Sequence, residues 1–139
     1  MVDDPKRFTG GCMCGALRYE VRGEPQYAGF CYCTDCRKAS GSGAIPFIGV
    51  SAAQVRFSGE SRHIRSTSFR GTEAVRNRCP ACGSLVFGGI VGEDESHTLY
   101  AGSLDDPSVF QPSMAIFVRD KPSWMIPPEG VTLFQTMPG

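Results

Sequence analysis

The 139-residue sequence predicts one mostly antiparallel β domain, and three observations carry that reading. Apolar residues recur at every second position and almost nowhere at helical spacing. Seventeen glycines and ten prolines punctuate the chain, as tight turns between many short strands require. Hydrophobic residues at 41% and charged residues at 20% fit a packed core rather than a disordered chain, and the length fits a single domain over 1–139.

The clearest strand is "ALRYEVR" (16–22), where Leu17, Tyr19 and Val21 face one way and Arg18, Glu20 and Arg22 the other. Further strands are expected at 44–50, 85–90, 98–102 and 114–119, with weaker candidates at 26–30, 55–58, 62–66 and 73–78. Pro46 lacks a backbone donor, so 44–50 is expected at a sheet edge or beside a bulge. One short helix is expected over "TDCRKAS" (34–40), capped by Thr34 or Asp35 and stopped by Gly41. Phe47, Phe57, Phe69 and Phe87 are expected in the core. Trp124, the only tryptophan, is expected to pack the C-terminal segment onto the sheet, with a pocket wall shared with Phe117 as the alternative.

Fourteen basic residues balance fourteen acidic ones, which is a poor match to a polyanion partner, so no nucleic acid is expected. The opening "MVDDPKRFTGG" has no apolar run of the kind a secretory leader carries. No stretch approaches the roughly 18 apolar residues of a membrane helix. A cytoplasmic chain without a membrane partner is therefore expected, with its thiols kept reduced. Seven cysteines are also an odd number, which no complete disulfide framework accommodates.

The cysteines fall into three groups: Cys12 and Cys14 in "GCMCGA", Cys31, Cys33 and Cys36 in "CYCTDC", and Cys79 and Cys82 in "RCPACGS". The first and third groups both end in glycine, which permits a left-handed turn that aims backbone N–H groups at the sulfurs. Together they supply the four thiolates of a closed tetrahedral zinc site. The middle group has three sulfurs, the number a catalytic zinc retains while its fourth position stays open. Three readings of it stand. It holds zinc openly, or it recruits His63, His97 or Asp35 as a fourth ligand, or it is a redox-active thiol group. His63 and His97 are otherwise expected to be ordinary surface or core residues, His97 at a turn-to-strand junction. Arg37 has the planar fork to grip a substrate carboxylate, or to pair with Asp35 or Glu20. Ser40 and Gly41, with Ser42, could offer donors to a substrate or simply end the helix.

In its order of motifs, "GCMCGALRYEV", "FCYCTDCRKASGSG", "RCPACGSLVFGG", "AGSLDDP" and "IFVRDKPSW", the chain resembles the glutathione-dependent formaldehyde-activating, or CENP-V/GFA, domain family over about residues 8–138. The resemblance implies a β-tent of stacked antiparallel sheets. It implies a structural zinc on Cys12, Cys14, Cys79 and Cys82, and a labile catalytic zinc on Cys31, Cys33 and Cys36. The implied activity is that of a carbon–sulfur lyase joining formaldehyde to a thiol, giving S-(hydroxymethyl)glutathione in the namesake reaction. The expected partner is a small thiol or aldehyde adduct. The family usually carries histidines where this chain has Met13, Tyr32 and Ala115. Those departures bear on substrate identity, while the metal ligands are intact. Two other functions remain open at this point: a non-enzymatic zinc-stapled binding module, and a redox or metal-buffering protein.

Overall fold

The computed structural model describes residues 6–68 and 71–138, so Phe69 lies outside the described residues. Its strands are β1 (Arg7–Gly11), β2 (Arg18–Arg22), β3 (Tyr27–Cys31), β4 (Ile45–Ser51), β5 (Val55–Ser58), β6 (Arg62–Thr67), β7 (Glu73–Arg78), β8 (Leu85–Gly88), β9 (Ser96–Tyr100), β10 (Met114–Ile116) and β11 (Thr132–Leu133). One α-helix, α1 (Thr34–Ser40), joins β3 to β4. The strands form a three-stranded sheet, β1-β2-β5, and an eight-stranded sheet, β11-β10-β3-β4-β9-β8-β7-β6.

Period-two patterning positions both sheets. Leu17, Tyr19 and Val21 are buried and, with Phe8 and Val55, give the small sheet an apolar face. That face shares one core with Ile48, Val50, Val86, Phe87 and Leu99 of the large sheet. The large sheet is apolar on both sides around β4. Ile48 and Val50 join the core between the sheets, while Ile45 and Phe47 belong to a second cluster with Cys31, Ile116 and Phe117. Strand residues alternate faces, so the second cluster lies on the side away from the small sheet. The "GSLDDP" stretch clamps the small sheet. Asp105 accepts from Arg18 and from Thr9, and Tyr19 Oη lies 2.8 Å from Ser103 Oγ. The Arg18 guanidinium, then Thr9, holds the Asp105 carboxyl down at about 2.

Four expectations are corrected. β4 is a central strand, paired with β3 on one side and β9 on the other, with no bulge at Pro46. Gly49 O faces β3, accepting from Gln26 N, and Ala52 N faces the β9 side, donating to Glu95 O. By alternation Pro46 N points to the β9 side, where the ladder has already ended at Phe47↔Tyr100, so its missing N–H costs no sheet bond. The second correction concerns strand direction: β10 runs parallel to both β3 and β11. The chain reaches β10 through a long irregular connection rather than a hairpin, which frees it from antiparallel pairing. Third, α1 is capped by Cys33, whose sulfur accepts from Cys36 N at 3.2 Å, and not by Thr34 or Asp35. Gly41 ends the helix as expected, with φ 70°. Fourth, Trp124 is 71% exposed and lies over the backbone of Gly43 instead of packing onto the sheet. β1 and β11 had no signal in the sequence. β1 has two glycines and little alternation, and β11 has two residues.

Candidate metal centres and the adjoining cleft

Cys12, Cys14, Cys79 and Cys82 bring four sulfurs within 4.8 Å of one another. Two of the separations are 3.6 Å (Cys12–Cys14) and 3.7 Å (Cys14–Cys79). Zinc–sulfur bonds of about 2.3 Å in a tetrahedron space sulfurs about 3.8 Å apart, so these four fit one zinc ion. Each pair sits on a turn closed by a left-handed glycine, Gly15 (φ 84°) and Gly83 (φ 77°). The turn after β1 lets Leu17 N donate to Cys12 Sγ at 3.2 Å. The turn between β7 and β8 puts Ser84 beside Cys82, with the oxygen 3.1 Å from the sulfur, and this lowers the Cys82 thiol to about 5. Met13 N donates to Ser84 Oγ, linking the two turns directly. The site therefore joins the small sheet to the large one.

Cys31, Cys33 and Cys36 also bring their sulfurs within 4.8 Å of one another, with Cys31 and Cys36 at 3.3 Å. β3 delivers Cys31, and the first turn of α1 delivers the others. No histidine, cysteine or carboxylate among the described residues adds a fourth donor to this group. His97 is buried in β9 with Nδ1 3.1 Å from Gly88 O, edge-on to Phe57 and Phe87. His63 is exposed on β6. Hydrogen bonds from Cys31 and Cys36, then the backbone N–H groups of Cys36 and Asp35, hold the Cys33 thiol far below its ordinary value, and Cys31 is raised in exchange. Three soft donors that share negative charge in this way suit zinc.

The three cysteines line a cleft of about 1010 Å³. Its walls near the sulfurs are apolar: Ile45, Phe47, Ile116 and Phe117. Phe117 stands in a left-handed conformation (φ 54°), the one non-glycine residue with positive φ among those described. That costs energy, and backbone bonds from Phe117 N to Thr136 O and from Val118 N to Phe134 O hold it. Of the two aromatics considered for a pocket wall, Phe117 is in the cleft and Trp124 is outside it. Arg37, Ser40 and Gly41 do not line the cleft. Arg37 donates to Tyr32 O and Thr34 Oγ1, and pairs with neither Asp35 nor Glu20. Ser40 Oγ returns to Cys36 O at 2.8 Å. Among the described residues, the cation that does line the cleft is Arg76 of β7, accompanied by Tyr100 of β9, whose phenol burial pushes up to about 12. Both are brought there by sheet register, for which single-sequence spacing gives no signal.

Among the departures from the family pattern, Met13 is exposed on the first cysteine turn, 86% accessible. Tyr32 and Ala115 are buried in one cluster with Ala44. A large ring and a small methyl group therefore share that space. No helix among the described residues is long and apolar enough to cross a membrane.

Known proteins resemble this chain in sequence and in fold. A protein of Halomonas elongata named "Putative glutathione-dependent formaldehyde-activating enzyme" is 28% identical over 124 residues, covering 85% of this chain and 79% of its own. A Rhodobacter sphaeroides protein of known crystal structure superposes with a TM-score of 0.53 at 19% identity, over 91% of this chain and 98% of its own, which shows a shared fold. The model of the GFA family, described as glutathione-dependent formaldehyde-activating enzyme, matches residues 7–120, and with most of its length so matched the chain belongs to that family.

Proposed function

We propose that the protein is a zinc-dependent carbon–sulfur lyase that makes and breaks adducts between a small thiol and an aldehyde. The carrying observation is a three-cysteine group that has no fourth protein donor among the described residues and opens on a large cleft. Cys31, Cys33 and Cys36 would hold the catalytic zinc, and Cys12, Cys14, Cys79 and Cys82 the structural one. A catalytic zinc of this kind supplies Lewis acidity and lowers the pKa of a thiol. The chain supplies the rest: Ile45, Phe47, Ile116 and Phe117 exclude water beside the sulfurs and orient an apolar portion of the substrate. Formaldehyde is the aldehyde favoured by family membership, and glutathione the first thiol to assay.

The test is metal analysis combined with adduct exchange followed by NMR, using formaldehyde with glutathione and with 2-mercaptoethanol. Two zinc ions per chain and exchange above the uncatalysed rate are expected. The Cys33→Ser variant should retain one zinc ion and fall to background. Wild-type rates from that variant defeat the reading. The 3.3 Å approach of Cys31 and Cys36 sulfurs favours thiol redox as a second reading. Mild oxidant would then remove two mass units and release one zinc ion.

A further inference from the structure

Arg76 occupies an unusual position for a cation. It projects half-buried from β7 into the cleft, with Nη2 3.8 Å from Cys36 Sγ and Nη1 3.3 Å from Ser66 Oγ. The Tyr100 phenol, on the same cleft wall, interacts with the guanidinium. No carboxylate among the described residues forms an ion pair with Arg76. A guanidinium has five N–H donors, and the Cys36 sulfur, the Ser66 oxygen and the Tyr100 phenol engage three of them at most. Withdrawing such a group from water without a carboxylate partner is costly unless other negative charge compensates it. The thiolates supply part of that charge. Arg76 lines the same cleft as Cys31, Cys33 and Cys36, where a reacting thiol and its aldehyde would lie.

We propose that Arg76, supported by Tyr100, binds the oxygen of the reacting aldehyde or adduct and is a catalytic residue. This rests on the thiol–aldehyde reading above. As the adduct forms, a sulfur lone pair makes the C–S bond and the carbonyl π pair moves onto oxygen. That oxygen acquires its negative charge against the N–H groups of Arg76. The proton given up by the thiol returns to it through water. In the reverse direction the hydroxyl proton goes to water, the C=O bond re-forms, and the C–S bond breaks with its electron pair on sulfur. No oxidant or reductant is involved. The ligand class that follows has a sulfur next to a carbon whose oxygen carries all or part of a single negative charge. Thioacetate has that arrangement, and ethanethiol has the sulfur without the oxygen.

The experiment uses full-length protein with cobalt in place of zinc, reading the sulfur-to-cobalt charge-transfer band as each ligand is titrated. Wild type should bind both. Arg76→Gln should weaken thioacetate by about 10- to 100-fold, the range for losing a charge-assisted hydrogen bond, and leave ethanethiol within about threefold. Because each ligand is compared with itself across variants, the difference in thiol acidity cancels. Arg76→Lys, which keeps the charge and loses the fork, should fall between. Equal weakening of both ligands or cobalt loss from Arg76→Gln would assign Arg76 to holding Cys36, and no weakening would show that it touches neither ligand; each overturns the proposal while wild-type binding of both ligands still supports the open metal site. Failure of wild type to bind either ligand would overturn the lyase reading and this proposal together.

Discussion

Cys33 has two tasks at once, since its sulfur belongs to the three-cysteine group and also caps α1 by accepting from Cys36 N. Serine can cap a helix but is a poor zinc ligand, and alanine can do neither. Cys33→Ser should therefore lose the middle metal and keep the cap. Cys33→Ala should lose both, and melt below the serine variant by the equivalent of about 1 kcal/mol. Zinc content and thermal melting of the two proteins check this, and identical melting temperatures would argue against the cap. The cysteine triad itself was legible, because its ligands lie within six consecutive positions. The cap was not, since hydroxyl and carboxylate residues flank the cysteine and a thiol accepts well only when charged. Arg76 was illegible for a different reason. It stands 40 residues from Cys36, and only the β6–β7–β8 register brings it back. Arg37, adjacent in sequence, turns its guanidinium to Tyr32 O.

At the scale of elements, close backbone approach decides which turns tolerate change. Gly59, between β5 and β6, has φ 90°, and a Cβ there would lie 1.9 Å from Ala16 O. Neither the backbone of Gly59 nor that of Ala16 is the end of a flexible side chain, so the clash is relieved only by moving β5 away from the turn that precedes β2. Gly59→Ala should cost about 2 kcal/mol or more, combining a strained left-handed conformation with steric overlap. Chemical denaturation measures that loss, and because Ala16 and Leu17 also hold the Cys12–Cys14 turn, any zinc lost should come from the four-cysteine group and not from Cys31, Cys33 and Cys36. Strand existence was legible here from alternation and glycine punctuation. Strand placement was less so. Pro46 argued for an edge by a rule about missing donors, yet what matters is the side to which that donor would have pointed. β10 gave an apolar run without any sign of direction, because parallel pairing depends on the path of the preceding connection.

At the scale of the whole molecule, the two sulfur groups differ in what they join. Cys12 and Cys14 follow a strand of the small sheet, and Cys79 and Cys82 lie between two strands of the large one, so a metal there fastens sheet to sheet. Cys31, Cys33 and Cys36 lie within six residues on one face of the large sheet and fasten only α1 to the end of β3. Metal binding at the first group would be coupled to folding, because the unfolded chain holds those pairs 65 residues apart. At the second, most of the ligand geometry is local. Chelation should therefore proceed in two stages. The first ion should leave under mild chelator with the far-ultraviolet circular dichroism unchanged, and its loss should be reversed by added zinc. The second should leave only as the tertiary structure melts. Cys79→Ser should accordingly lower the melting temperature far more than Cys33→Ser, given that each kcal/mol is about 4 °C for a chain of this size. Zinc released against chelator concentration, followed together with circular dichroism, reads both stages. A single release coincident with unfolding would mean that the three-cysteine group also holds the fold together, and its metal would then be structural rather than exchangeable.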